Sequence, residues 1–147
     1  AQSFVLEQLL RAANVHLACF IPHYELQCSE PGQLTILIHN KFNNSLIGVP
    51  NLSGGESFIV SLALALGLSQ VGNKGLSIDT LFIDEGFGTL SSEALDLVMT
   101  ALETLRKESG CRVGIISHVD SLKDRIPTQI QLQRQDATKS CIKIVGN

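Results

Sequence analysis

The sequence predicts an α/β fold with a partly parallel sheet flanked by helices, and three observations carry that prediction. Two short apolar runs, Leu81-Phe82-Ile83 and Val113-Gly114-Ile115-Ile116, read as buried strands. Between them Leu95, Val98, Leu102 and Leu105 recur at helical spacing within residues 92–108, closed by Gly110. Strand, helix and strand over residues 81–116 make one crossover unit, whose two strands run parallel and whose connection is right-handed by the general rule for such units. The composition supplies a core for it: of 147 residues, 44% are hydrophobic and 17% charged. That length and balance fit a single domain over residues 1–147.

The other elements follow in order. Val5, Leu9, Leu10, Ala13 and Leu17 recur every three or four residues, which predicts an opening helix limited by Pro22. Residues 24–28 and 34–39 read as two strands around the turn Glu30-Pro31-Gly32, with Leu34, Ile36 and Ile38 alternating against Thr35 and Leu37. Asn43-Asn44-Ser45 and Gly48-Val49-Pro50 read as continuing loop. Residues 53–68 are apolar on nearly every side, which predicts a helix buried on more than one face and ending near Gly72-Asn73-Lys74-Gly75. Beyond His118 a short helix is expected to about Arg125. Ile130 and Leu132, then Ile142 and Ile144, predict a closing hairpin around residues 135–140.

Charge and cysteine usage exclude several classes. A net charge of -3 gives no global electrostatic reason to bind nucleic acid, so any DNA contact must be local or supplied by another component. Cys19, Cys28, Cys111 and Cys141 stand far apart without a CxxC pair, which reads as reduced thiols and not a zinc cage. No signal peptide opens the chain, and the longest apolar run, residues 58–68, is interrupted by Ser61 and too short for a bilayer. A cytoplasmic protein without a membrane partner is expected. The chain begins at Ala1 and its one methionine is Met99, so either an initiator is removed or the chain is a piece of something longer.

Three constellations can carry chemistry. The first is Leu52-Ser53-Gly54-Gly55-Glu56 at the head of the buried helix. A capping box accounts for Ser53 and Glu56, but not for a glycine pair, since each helical Gly costs about 1 kcal/mol relative to Ala. Bare amides at a helix head suit an approaching anion, and an anion site and a plain cap both fit the local pattern. The second is Asp84-Glu85 at the tip of the strand 81–83, the end at which parallel strands place their ligands. An Asp there can hold magnesium through water, and a Glu beside it can take a proton from an attacking water. A solvated acidic pair is the plain alternative. The third is His118, just past the neighbouring strand, where its imidazole should emerge in the same crevice. A lone histidine is more often a loop or cap residue, and His16, His23 and His39 read as structural.

The order of these elements resembles a known family. LSGGE at residues 52–56, LFIDEGFGTL at 81–90 and IISH at 115–118 resemble, in sequence, the ABC signature motif, the Walker B strand with its D-loop, and the switch histidine. DEGFGTL, where transporter ATPases usually read DEPTSALD, is similar to the SbcC branch of the DNA-repair ATPases related to the structural-maintenance-of-chromosomes proteins. The likeness runs over residues 52–132. It implies the C-terminal lobe of an ABC-type P-loop ATPase head, with residues 1–20 as the foot of a returning coiled coil.

By that resemblance, Ser53, Gly54 and Gly55, followed by Glu56, contact the γ-phosphate of ATP held by the opposite head. Asp84 supports Mg2+, Glu85 is the general base and His118 senses the γ-phosphate. Gly88-Thr89-Leu90-Ser91 is the D-loop at the dimer interface, where Ser91 replaces the Asp usual after GTL in SbcC-like proteins. No GxxxxGK[ST] phosphate loop occurs in the sequence, so ATP and Mg2+ binding would need an N-terminal lobe of the same parent, and the chain alone should not hydrolyse ATP. The implied partners are that lobe, a second head in an ATP-dependent homodimer, an SbcD-like metal-dependent nuclease, and DNA in the full complex. The implied role is in double-strand-break repair and recombination. The alternatives are a transporter nucleotide-binding subunit, which shares the signature, and a non-enzymatic ABC-fold dimerisation module.

Overall fold

The computed structural model describes residues 2–30, 35–72 and 78–146. Helix α1 (Gln2–Phe20) leads into an antiparallel sheet of β1 (Tyr24–Cys28), β2 (Ile36–Asn40) and β3 (Ser45–Gly48), then a 3-10 turn at Val49–Asn51 and helix α2 (Gly54–Gly72). The crossover unit follows as β4 (Thr80–Asp84), α3 (Ser92–Ser109) and β5 (Arg112–Ile116), with β4 and β5 parallel as the sequence predicts. They are not buried as it suggested, since no helix among the described residues covers their outer face, where Phe82 and Ile116 are exposed. A 3-10 turn at Asp120–Leu122 and the antiparallel hairpin of β6 (Gln129–Arg134) and β7 (Ser140–Val145) close the chain.

Two local expectations change. Ser45–Gly48 is a strand, paired through Ile38↔Ile47 and Leu37↔Gly48, where the sequence suggested loop. Asn44, at φ 52°, makes the tight turn that lets it return. The helix expected after His118 is only the Asp120–Leu122 turn. The expected turn at Pro31-Gly32, Leu34 and the breakers Asn73-Lys74-Gly75 lie outside the described residues.

Helix α2 organises the core. Its first residues form the capping box, and Ile59, Val60, Leu62, Ala63 and Leu66 are buried between α1 and α3. Residues 54–71 have the length and apolarity of a membrane span, more than the run 58–68 suggests. In this fold the segment's inward side, Ile59, Val60, Leu62, Ala63 and Leu66, lies in the core, while Leu68 is exposed. The α1–α2 crossing is unusually close: a Cβ on Gly67 would stand 2.6 Å from the backbone nitrogen of Ala13. Helix α1 presents Leu10, Ala13 and Leu17 inward, whereas Val5, at the far end of the predicted stripe, is exposed. Asn14 uses its whole amide on β1, donating to Leu26 O at 3.0 Å and accepting from Leu26 N at 2.8 Å. That contact satisfies backbone on the open edge of the sheet.

The α1–α2 crossing gives a first prediction. Gly67→Ala should cost about 1–3 kcal/mol in a urea melt, despite the helix propensity alanine gains, because backbone must move to admit the methyl. Gly48→Ala, whose Cβ would meet only Pro50 Cδ at 3.6 Å and Asn51 Nδ2 at 3.9 Å, should change stability by about 0.5 kcal/mol or less.

Candidate functional site

The site begins at the paired tips of β4 and β5. Asp84 stands opposite Ile116, and the Glu85 amide extends the ladder by donating to Ile116 O at 2.8 Å. The chain then turns away through two left-handed residues, Glu85 at φ 61° and Gly86 at φ 96°. Gly86 adopts this freely; Glu85 does so against its Cβ, the kind of local strain that concentrates at functional turns. The Glu85 carboxylate meets the His118 ring, with Nδ1 3.0 Å from Oε2 and 3.2 Å from Oε1, and both side chains are open to solvent. Asp84 lies on the outer face of β4 with Thr80 and Phe82, opposite to Leu81 and Ile83. Gly88 passes beneath the imidazole, where a Cβ would sit 3.7 Å from Cε1 and Nε2.

The second part is the head of α2. Glu56 Oε2 accepts the Ser53 amide at 2.8 Å, and the Glu56 amide donates to Ser53 Oγ at 3.3 Å, which completes the capping box. Glu56 Oε1 accepts the Tyr24 hydroxyl at 2.8 Å. Burial pushes the Glu56 carboxyl up, but hydrogen bonds from the Ser53 amide and the Tyr24 hydroxyl outweigh it and hold the group below its ordinary value. Burial, then the bond to Glu56, pushes the Tyr24 phenol up to about 12. The glycine pair has a packing reason the sequence did not reveal. A Cβ on Gly55 would lie 2.9 Å from Ala94 Cβ and 3.0 Å from Ala94 Cα, and one on Gly54 would lie 3.3 Å from Leu90 Cδ2. Ser91 caps α3, its Oγ accepting the Ala94 amide at 3.2 Å.

Of the residues singled out by sequence, Glu85 and His118 are thus in direct contact, with Asp84 adjoining. The contacts of Ser53–Glu56 run instead to Tyr24, Leu90 and Ala94. The segment 86–91 joins the two groups, and Phe87, buried against Phe58 of α2 at a ring-centroid distance of 5.3 Å, anchors it. Sequence reasoning missed Tyr24 and Phe58, whose roles depend on partners about thirty residues away and leave no local pattern. It also missed Arg125, which pairs with Asp96 of α3 and ties the segment after His118 to that helix.

The fold matches the heads of structural-maintenance-of-chromosomes ATPases. A solved structure described as "Structural biochemistry of ATP-driven dimerization and DNA stimulated activation of SMC ATPases" superposes at TM-score 0.69 with 17% identity, over 99% of this chain and 88% of that one. The SMC head domain from Thermotoga maritima superposes at 0.68 with 17% identity, over 99% of this chain and 51% of that one. Residues 44–104 match the family described as SbcC/RAD50-like, Walker B motif. Among curated proteins, the SbcC component of the nuclease SbcCD from Rhodobacter capsulatus is 43% identical over 147 residues, and that from Pseudomonas aeruginosa 41% identical over 146 residues. Each alignment covers 99% of this chain and 12% of the relative, so the chain spans about one-eighth of their length. The chain is thus similar to SbcC/RAD50-like proteins over residues 44–104, and to these SbcC components over nearly all of its own length.

The Tyr24–Glu56 bond predicts how stability follows pH. Glu56 titrates lower in the folded chain than unfolded, so its contribution is complete above its ordinary value of 4.5 and disappears as pH falls through the lowered one. Tyr24 titrates higher when folded, so its contribution is complete below pH 10.0 and disappears as pH rises through about 12. Tyr24 is the sole tyrosine, so phenolate absorbance reads it directly. Its midpoint should lie well above that of the urea-unfolded chain, and Glu56→Gln should bring the two closer.

Proposed function

We propose that this chain is the C-terminal lobe of an SbcC-like ATPase head, and that in its parent it hydrolyses ATP at a head–head interface to regulate a nuclease partner on DNA. The observation that carries the proposal is the Glu85–His118 contact at the tips of two adjacent parallel strands, in a chain whose signature segment 52–56 opens a helix beside the same loop. On this reading the main phosphate cradle lies on the N-terminal lobe of the parent, and the sequence of this chain has no GxxxxGK[ST] segment of its own.

The exposed apolar surface supports a missing lobe. Ile130, Leu132, Ile142 and Ile144 share one face of the closing hairpin and are between 67% and 77% exposed, and Phe82 on the outer face of β4 is 72% exposed. Parallel strands such as β4 are ordinarily covered on both faces, and a contiguous exposed apolar face such as that of the antiparallel hairpin ordinarily marks an interaction surface, so both call for a partner. Helix α1, exposed at Phe4 and Val5, serves as the foot of the coiled coil. The remaining partners are a second head, an SbcD-like nuclease and DNA, in the cytoplasm and without a membrane component.

The donor set fits magnesium. Carboxylate oxygens are its preferred ligands, and it commonly takes only one or two from protein, with phosphates and water completing the shell. Asp84 would hold it, through water. When bound, the ion supplies neutralisation of phosphate charge. Glu85 acts as general base, taking a proton as the water oxygen bonds to the γ-phosphorus and the bond to the β–γ bridging oxygen breaks, its electron pair leaving with ADP. His118 contacts the γ-phosphate, and the amides of Gly54 and Gly55, first-turn donors without intrahelical acceptors, meet the γ-phosphate of the opposing head.

The test is to mix this chain with the N-terminal lobe of its parent and measure magnesium-dependent ATP hydrolysis. Turnover should arise only from the mixture, and Glu85→Gln should lower it about 10²-fold or more while ATP binding and dimerisation persist. Hydrolysis at the unsubstituted rate in that variant would remove Glu85 from its role.

A further inference from the structure

Ser53 is held by a relay that starts at the end of α1. The helix closes with the Ile21 amide donating to Leu17 O at 2.7 Å, and the Tyr24 amide then donates to Ile21 O at 3.0 Å, so Tyr24 follows α1 through a hydrogen-bonded turn. The Tyr24 ring is buried, and its edge lies against His23 at 4.6 Å between centroids. From there the hydroxyl reaches Glu56 Oε1 at 2.8 Å, while Oε2 of the same carboxylate holds the Ser53 amide at 2.8 Å. With both oxygens engaged on different elements, the carboxylate has one orientation. Without Tyr24, Glu56 would keep the capping box but could rotate and carry the Ser53 peptide with it.

The glycine contacts make this orientation matter. Gly54 and Gly55 are seated on Leu90 and Ala94, so the adjustable part of the α2 head is Ser53, whose side chain is held by Glu56, its hydroxyl oxygen accepting a long 3.3 Å bond from Glu56 N. From this geometry we infer that Tyr24 is a positioning residue for Ser53, acting through Glu56, and that it couples the end of α1 to the segment presented to the opposing head. The inference rests on the proposed reading of Ser53–Gly55 as a γ-phosphate contact made across a dimer. A shift of α1 is thereby transmitted to Ser53 by two short hydrogen bonds through one carboxylate, with no rearrangement of the glycine seats.

The experiment uses the full parent protein carrying Tyr24→Phe, Ser53→Ala and both together, with ATP-dependent dimerisation, ATP affinity and thermal melting measured for each. Tyr24→Phe keeps the ring in the core and removes only the hydroxyl. It should weaken ATP-dependent dimerisation about tenfold, leave ATP affinity of the single head unchanged, and add nothing in the Ser53→Ala background. An equal loss in both backgrounds would make Tyr24 a merely structural residue and overturn the inference, as would a Tyr24→Phe protein that dimerises normally while Ser53→Ala does not. If Ser53→Ala itself dimerises normally, the signature reading beneath the inference falls first, and the coupling falls with it.

Discussion

The parallel pairing of β4 with β5 is the constraint on which the candidate site depends. Because the strands run the same way and stay in register from Thr80↔Arg112 to Asp84↔Ile116, both release their chains at one edge of the sheet. An antiparallel partner of the same length would place the residues after the two strands at opposite ends, roughly 15 Å apart at ~3.3 Å per residue. Instead the last ladder bond, from the Glu85 amide to Ile116 O, leaves His118 level with the Glu85 carboxylate. The left-handed turn at Glu85 and Gly86 takes the chain out of the sheet directly after the last ladder bond, with the Glu85 carboxylate beside the imidazole.

Helix α2 sets the other half. It touches α1 backbone at Gly67 and α3 backbone at Gly55, so it is fixed at both ends by contacts with no side-chain slack. Native interiors are packed densely enough that such seats move only together. Phe58 on Phe87 then joins α2 to the loop leaving β4, and Tyr24 joins its head to the turn after α1. The helix head and the strand tips, though not in mutual contact through Ser53 or Glu85, belong to one mechanical unit.

The parts of the fold written in short periodicities were legible from the residues alone. The stripe of Leu95, Val98, Leu102 and Leu105, the β4 and β5 runs, the Ser53–Glu56 box and the Gly110 stop all come from spacing within a few residues. β3 was not, because four residues between an Asn-rich turn and Val49-Pro50 carry too little pattern; the Asn44 turn was the available signal. The glycine pair was read through its amides alone, and its packing against Leu90 and Ala94 depends on a loop and a helix nearly forty residues away. Exposure of the closing hairpin was also illegible. Alternating Ile130, Leu132, Ile142 and Ile144 announces a face that wants covering, and sequence spacing within this chain does not say whether the cover is its own.

The Glu85–His118 contact constrains how the two residues can act. An ionised carboxylate only accepts hydrogen bonds, so at 3.0 Å His118 Nδ1 must carry the hydrogen. In a neutral imidazole Nε2 is then an acceptor, unsuited to a phosphate oxygen, which also only accepts. For His118 to donate to a γ-phosphate, as the proposed reading requires, the ring must gain a second proton or give up Glu85 and change tautomer. In the first case, the ring stays on Glu85 and its N–H occupies the carboxylate oxygens that a water would need. In the second, the phosphate draws His118 away and frees Glu85 for water. Only the second lets both residues do their proposed work in the same step, and the solvent exposure of both side chains leaves room for that exchange. On the proposed reading, the contact is the resting arrangement of two groups that a phosphate would separate.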